Sequence, residues 1–428
     1  MDKEIFNIAI KQIKSPVACC ALSTRVGTRD ETLIYNGLAH FTEHMFFKGT
    51  FKRGSNSINN ALEKVGGELN AYTTKEETVL HATVLKEDLQ KAVDLLLEMA
   101  FTSTFIPKEL VKEREVIYDE IVSYEDSPSD AIYDHFEELL FRGHPLNMQI
   151  LGTKKSLKKI DQEVFKEYIG NNFIPSKMGF TIVADINSKQ AVSMVKKSLL
   201  KYYKGKVEVC VVEEGGEECF NNVVDNCEVN KKFINSEHAE LKEFTEKFHT
   251  EIIKKNHQAH CIVGATAYSC FQEKRLALAV LTNILGGPAA SARLNLTLRE
   301  KNALVYNVEA NYTPYADTGI FTIYFGCDKC DVVKCLELTK IEIDKMVSCK
   351  FTDSALKAAK KQLFGQLLIA QDNTESQCLS MGKSLIVYGK INTFEQMRSK
   401  IESITADQLQ EVAREVLSWD RMSTLVYI

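Results

Sequence analysis

Two spacings of hydrophobic positions run through this chain. In "VACCALST" (17–24) and "ETVLHATVL" (77–85), apolar residues crowd a short run or alternate with polar ones, which predicts strands. "LNAYTTKEETVLHATV" predicts an antiparallel hairpin turning at Lys75–Glu76. "KEDLQKAVDLLLEMA" follows the helical period, with Leu89, Val93, Leu96 and Leu97 on one stripe. "IPKELVKEREVIYDEIVSYE" predicts a long helix with Pro107 in its first turn, where a missing N–H is tolerated. Hairpins alternating with long helices predict an α+β domain, a mainly antiparallel sheet with helices packed on one face.

The pattern then repeats. "FIPKELVKEREVIYDEI" (105–121) matches "FTDSALKAAKKQLFGQL" (351–367) in its apolar frame, with Phe105 on Phe351, Leu110 on Leu356, Ile117 on Leu363 and Ile121 on Leu367. "VACCALSTRVG" parallels "QAHCIVGATAY" (258–268), and the ends of the two halves also correspond. The expected organisation is therefore two homologous domains, 1–204 and 250–428. Between them the acidic segment 205–249, with Gly in "EEGGEE", reads as a linker with some local structure of its own.

Composition narrows the function classes. The 428 residues are 45% hydrophobic and 26% charged, with a formal charge of −5 and both signs interspersed. Such a balance gives no reason to expect nucleic acid or an anionic membrane as a partner. No apolar run reaches the roughly 18 residues that would span a bilayer, and the first residues do not read as a secretory signal. The 12 cysteines are scattered, which suits reduced thiols in a cytoplasm. Cys327 and Cys330 form a lone Cys-x-x-Cys, and a lone pair is not read as a metal site.

Candidate chemistry sits in "GLAHFTEHMFFKGT" (37–50). Spacings of three and four residues put His40, Glu43 and His44 on one helical face. Two imidazoles and a carboxylate on one face suit Zn²⁺, which needs a third protein ligand for a catalytic site with one open position. Glu113 and Glu120 on the long helix are seven apart and share a face. Glu120 is a candidate third ligand and Glu113 a candidate supporting carboxylate. At the offset of the repeat, 246 residues, Glu113 falls on Ala359 and Glu120 on Gln366, while His40 and His44 fall near Gly286 and Ala290. The second half keeps the apolar frame and lacks all four polar residues, so these residues serve chemistry rather than packing.

These residues resemble the inverted zinc motif of the pitrilysin-like metallopeptidases, the inverzincins. The resemblance extends over "GGELNAYTTKEET", "EREVIYDEI" and "LREKNALVYNVEA", and is closest to the short two-domain members. It implies Zn²⁺ held by His40, His44 and Glu120, with Glu43 as general base and Glu113 as a supporting glutamate. It also implies that Arg299 and Tyr306 bind substrate and stabilise the transition state. Asn70 and Ala71 match the edge strand that receives a substrate backbone. The implied activity is hydrolysis of peptides or unfolded segments inside a dimeric chamber, with the Arg/Tyr pair supplied by the opposing subunit of a homodimer. Two other readings stay open: a non-catalytic or peptide-binding partner subunit of the same architecture, and a binding module with a structural zinc.

Overall fold

The computed structural model describes residues 4–216, 241–254 and 256–428. These form two compact units, each built on one sheet.

The first sheet contains β1 (Glu4–Gln12), β2 (Val17–Thr24), β3 (Glu68–Thr73), β4 (Thr78–Leu85), β5 (Met178–Ala184) and β6 (Val207–Val212), in the order β3-β4-β2-β5-β1-β6. Pairing is antiparallel from β3 to β5, and parallel where β1 meets β5 and β6, so the sheet is mixed. β6 lies within the segment expected as a linker, and it joins the sheet there. Residues 217–240, the middle of that segment, lie outside the described residues.

The apolar runs explain the layering. After Val17, every position of β2 is buried, and so is all of β5, because both faces of these strands are covered. On one face, Cys20, Leu22, Ala82 and Val84 pack with α1 (Leu38–Phe46) and α3 (Leu89–Thr102). On the other, Ala9, Cys19, Ala21, Val79 and Val183 pack with Cys378, Met381 and Leu385 of the helix Thr374–Tyr388. That helix comes from the second half of the sequence, within a segment, Leu368–Thr393, that belongs to the first unit.

The second unit reciprocates. Its sheet contains β7 (His249–Ile252), β8 (Ala259–Ala267), β9 (Val305–Pro314), β10 (Gly319–Cys327) and β11 (Ser423–Tyr427), in the order β7-β11-β8-β10-β9. Only β7 and β11 pair in parallel. Cys261, Val263 and Ala265 face the helices Arg275–Gly286 and Ala406–Val416, as period-two alternation requires. Ile262 faces the opposite way, against Ile132, Phe136 and Leu140 of α5 (Pro128–Leu140). α5 lies in Val122–Asn147, a stretch of the first half of the sequence that belongs to the second unit. Each sheet thus has one face covered by its own half of the chain and one covered by a helix from the other half.

Besides α1, two helices border the region of the candidate chemistry. α2 (Ser55–Glu63) leads into β3. α4 (Pro107–Glu125) buries Leu110, Glu113, Ile117 and Ile121, a single stripe in which one member is a carboxylic acid. Among the described residues, no helix is long and apolar enough to cross a membrane.

Candidate metal centre

The centre is built on a helix whose start is fixed from outside. Gly37, the residue before α1, has φ of 93°, a left-handed conformation that favours glycine. A Cβ there would lie 2.8 Å from the Leu151 carbonyl oxygen. Glu31 supplies the acceptors that the first turn of a helix lacks. Its Oε2 accepts from Gly37 N at 2.8 Å and from Asn36 Nδ2 at 3.0 Å, while Oε1 accepts from Ala39 N at 2.6 Å. Leu38, Ala39, Phe41, Thr42, Met45 and Phe46 are buried, so α1 is packed nearly all round, and Glu43 and His44 remain half-buried.

The structure brings His40, His44 and Glu120 together, with one potential ligand atom from each, all within 4.8 Å of one another. His40 Nε2 is 3.7 Å from Glu120 Oε1, and His44 Nε2 is 3.5 Å from Glu120 Oε2. The imidazole centroids are 4.6 Å apart, one ring tilted 60° to the other. Ligand atoms about 3.3 Å apart are what a tetrahedral ion with bonds of about 2.0–2.1 Å requires, so two imidazoles and a carboxylate at these separations fit Zn²⁺. Burial, reinforced by His44, depresses His40 to about 3, which keeps its imidazole neutral and able to coordinate.

Glu113 does not join that trio. Its Oε1 is 2.9 Å from His44 Nδ1, the nitrogen facing away from Glu120, and its Oε2 is 2.6 Å from Lys48 Nζ. Burial would raise its carboxyl, and the bonds from His44 and Lys48 outweigh that and hold it below the usual range. Glu43 behaves in the opposite sense. Burial pushes its carboxyl up, partly offset by a 2.6 Å hydrogen bond from Thr73 Oγ1 to its Oε2.

Beside these groups opens a cleft of about 680 Å³, lined among others by Glu43, His44, Lys48, Asn70, Ala71 and Glu113. Asn70 and Ala71 lie on β3, in register with His81 and Leu80 of β4. β3 ends the sheet order, so its outer edge pairs with no strand among the described residues. His81 lies on the neighbouring strand β4, with Nδ1 3.0 Å from Glu375 Oε1. Arg299 and Tyr306 belong to the second unit. Arg299 lies in the helical segment Asn295–Glu300, and Tyr306 lies on β9 and is 82% exposed. Sequence reasoning did not single out Thr73, Lys48 or Glu31. Lys48 and Glu31 were within reach of it, Lys48 four residues beyond His44 and Glu31 five to eight residues before the groups it contacts, whereas the Thr73 contact with Glu43 spans thirty residues and depends on tertiary approach.

Residues 7–154 match the family described as Insulinase (Peptidase family M16), and residues 159–363 match the Peptidase M16 inactive domain. An uncharacterized zinc protease of Bacillus subtilis is 30% identical over 404 residues, 94% of this chain and 90% of the relative. A second, from Streptomyces coelicolor, is 30% identical over 92% of this chain and 81% of its own length. A protease from Helicobacter pylori has a similar fold, with a TM-score of 0.82 at 16% identity over 98% of this chain and 95% of that one. A Pseudomonas fluorescens structure described as a peptidase M16 inactive domain gives 0.81 at 16% identity, over 98% and 94%. With this extent of similarity over nearly the whole length, the chain belongs to the M16 family of insulinase-like peptidases.

Proposed function

We propose that this chain is a zinc-dependent endopeptidase acting on peptides or unfolded segments. The observation that carries the reading is the convergence of His40, His44 and Glu120, with Glu43 on the same helix, at a cleft bordered by an open sheet edge. Zn²⁺ held by the three ligands would supply a water with a pKa near 7 and a Lewis acid for the scissile carbonyl. Glu43 takes the nucleophile's proton and returns it to the leaving amine. Thr73 holds one Glu43 oxygen, leaving the other for proton transfer. The edge of β3 at Asn70 and Ala71 receives the substrate as an added strand, a mode that reads backbone and requires an extended chain.

Arg299 and Tyr306 are the groups we assign to substrate binding and to the oxyanion that develops at the carbonyl. We assign them to the metal centre of a second copy, in a homodimer that encloses the substrate in a chamber. A cytoplasmic setting, without nucleic acid or membrane as partner, accords with the buried free thiols Cys19, Cys20, Cys261, Cys327, Cys335 and Cys378.

The test is zinc content together with cleavage of a panel of quenched unfolded peptides by wild type and Glu43→Gln. Expected are one zinc per chain in both proteins and a loss of cleavage of about 10²–10⁴-fold in the variant. A wild type that holds zinc and cleaves none of the peptides would favour a non-catalytic partner subunit instead.

A further inference from the structure

Lys48 stands one step further from the metal trio than Glu113. Its N–H donates to the Met45 carbonyl at 3.1 Å, so the chain is still turning as it leaves α1. That turn sends the side chain back along the face occupied by His44, four residues earlier. Nζ reaches Glu113 Oε2 at 2.6 Å, and the two oxygens of Glu113 are thereby divided, one to His44 Nδ1 and the other to Lys48. The Glu113 side chain is 8% exposed and lies in the buried stripe of α4. A carboxylate so placed is stable only with partners for its charge.

Direction matters here. A hydrogen bond from Nδ1 to Glu113 leaves the Nε2 lone pair of His44 facing Glu120 and His40. His40 has no such support among the described residues, where its buried Nδ1 meets no hydrogen-bond partner. Orientation of the imidazole pair therefore rests on the His44 side. Glu113 is also itself a potential ligand, and a fourth protein ligand would close a site that needs an open position.

We infer that Lys48 is a positioning residue, which clamps Glu113 onto His44 Nδ1 and so fixes the ligand geometry while keeping Glu113 out of the coordination sphere. This rests on the proposed zinc centre and adds to it a residue that acts through Glu113 and is not one of the metal's ligands.

The experiment measures zinc affinity by competition with a chromophoric chelator, on the full chain, for wild type, Lys48→Met, Lys48→Arg, Glu113→Gln and the Lys48→Met/Glu113→Gln double variant. Circular dichroism and a thermal melt accompany each. Loss of a partner to a metal-binding histidine typically weakens affinity about 10–100-fold. Lys48→Met is expected to weaken zinc binding at least tenfold, Lys48→Arg to restore most of it, and the double variant to bind no more weakly than Glu113→Gln alone. Undiminished affinity in Lys48→Met overturns the inference while leaving the zinc centre standing. So does an equal loss on adding Lys48→Met to wild type and to Glu113→Gln, which would mark Lys48 as generally structural. A wild type without zinc affinity overturns the metal centre itself, and Lys48's role with it.

Discussion

Thr73 Oγ1 donates a 2.6 Å hydrogen bond to Glu43 Oε2, joining the last residue of the edge strand β3 to the middle of α1. Substrate groove and proposed base are thus tied by one side chain. Hydrogen bonds to charged groups are worth about 1.5–3 kcal/mol, so Thr73→Val is expected to reduce peptide cleavage by about tenfold or more. Zinc content should not change, and Thr73→Ser should retain most activity. Steady-state rates beside metal analysis check this, and an active Thr73→Val protein would sever the link.

Glu31 anchors the other end of that helix. Glu31→Ala removes acceptors from the Gly37 and Ala39 N–H groups and from the Asn36 amide at once. The expected cost is about 1–3 kcal/mol in urea unfolding. Zinc affinity should fall as well, because His40 lies in the turn that frays. A variant with unchanged unfolding midpoint and unchanged metal binding would show that α1 is fixed by packing alone.

The proposed sharing of the Arg/Tyr pair between subunits is open to complementation. Glu43→Gln and Tyr306→Phe chains, each weak alone, are expected to regain part of the wild-type activity when unfolded together and refolded as an equimolar mixture, through mixed dimers with one intact site. Cleavage that stays at the mean of the two separate variants would argue that each chain serves itself.

Acid is expected to weaken the second unit through two histidines. Burial holds His260 below the usual imidazole range, with Nδ1 2.9 Å from the Tyr324 hydroxyl. Burial also lowers His135, whose Nδ1 is 3.1 Å from the Tyr427 hydroxyl, although Glu138 pulls the other way. A histidine depressed in the folded state contributes stability that is fully present above its unfolded value, about 6.5. That contribution is lost as pH falls below 6.5 towards the folded values, because the unfolded chain binds the proton first. The wild type should therefore lose more stability between pH 7.5 and 5.5 than a His135→Gln/His260→Gln variant. Urea midpoints at the two pH values test this, and equal losses would contradict it.

Much of this geometry is legible along the chain. The three- and four-residue spacing of His40, Glu43 and His44 describes one face of α1, and the seven-residue interval between Glu113 and Glu120 describes one side of α4. The alternation around Lys75–Glu76 gives the β3–β4 hairpin. These are local periodicities, set by residues within a few turns of each other. What escaped them is long-range. Nothing near Thr73 announces that its hydroxyl meets Glu43, thirty residues away. Nothing in "SQCLSMGKSLIVY" says that this helix covers the sheet of the first unit. The run "VACCALST" carried a partial hint, because a strand apolar at consecutive positions needs cover on both faces. β6 was hidden by its acidic surroundings, and it pairs through backbone that composition does not reveal.

The exchange of helices also sets a timetable for biosynthesis. As the ribosome releases the front of the protein, Ala9, Cys19, Ala21, Val79 and Val183 have no apolar lid until Thr374–Tyr388 emerges, almost two hundred residues after the end of β5. For that interval the nascent chain carries a sticky, half-finished surface, the kind that recruits chaperones or aggregates. Severing the gene between its two repeats would make that exposure permanent, so the halves are better regarded as one inseparable folding project than as interchangeable modules.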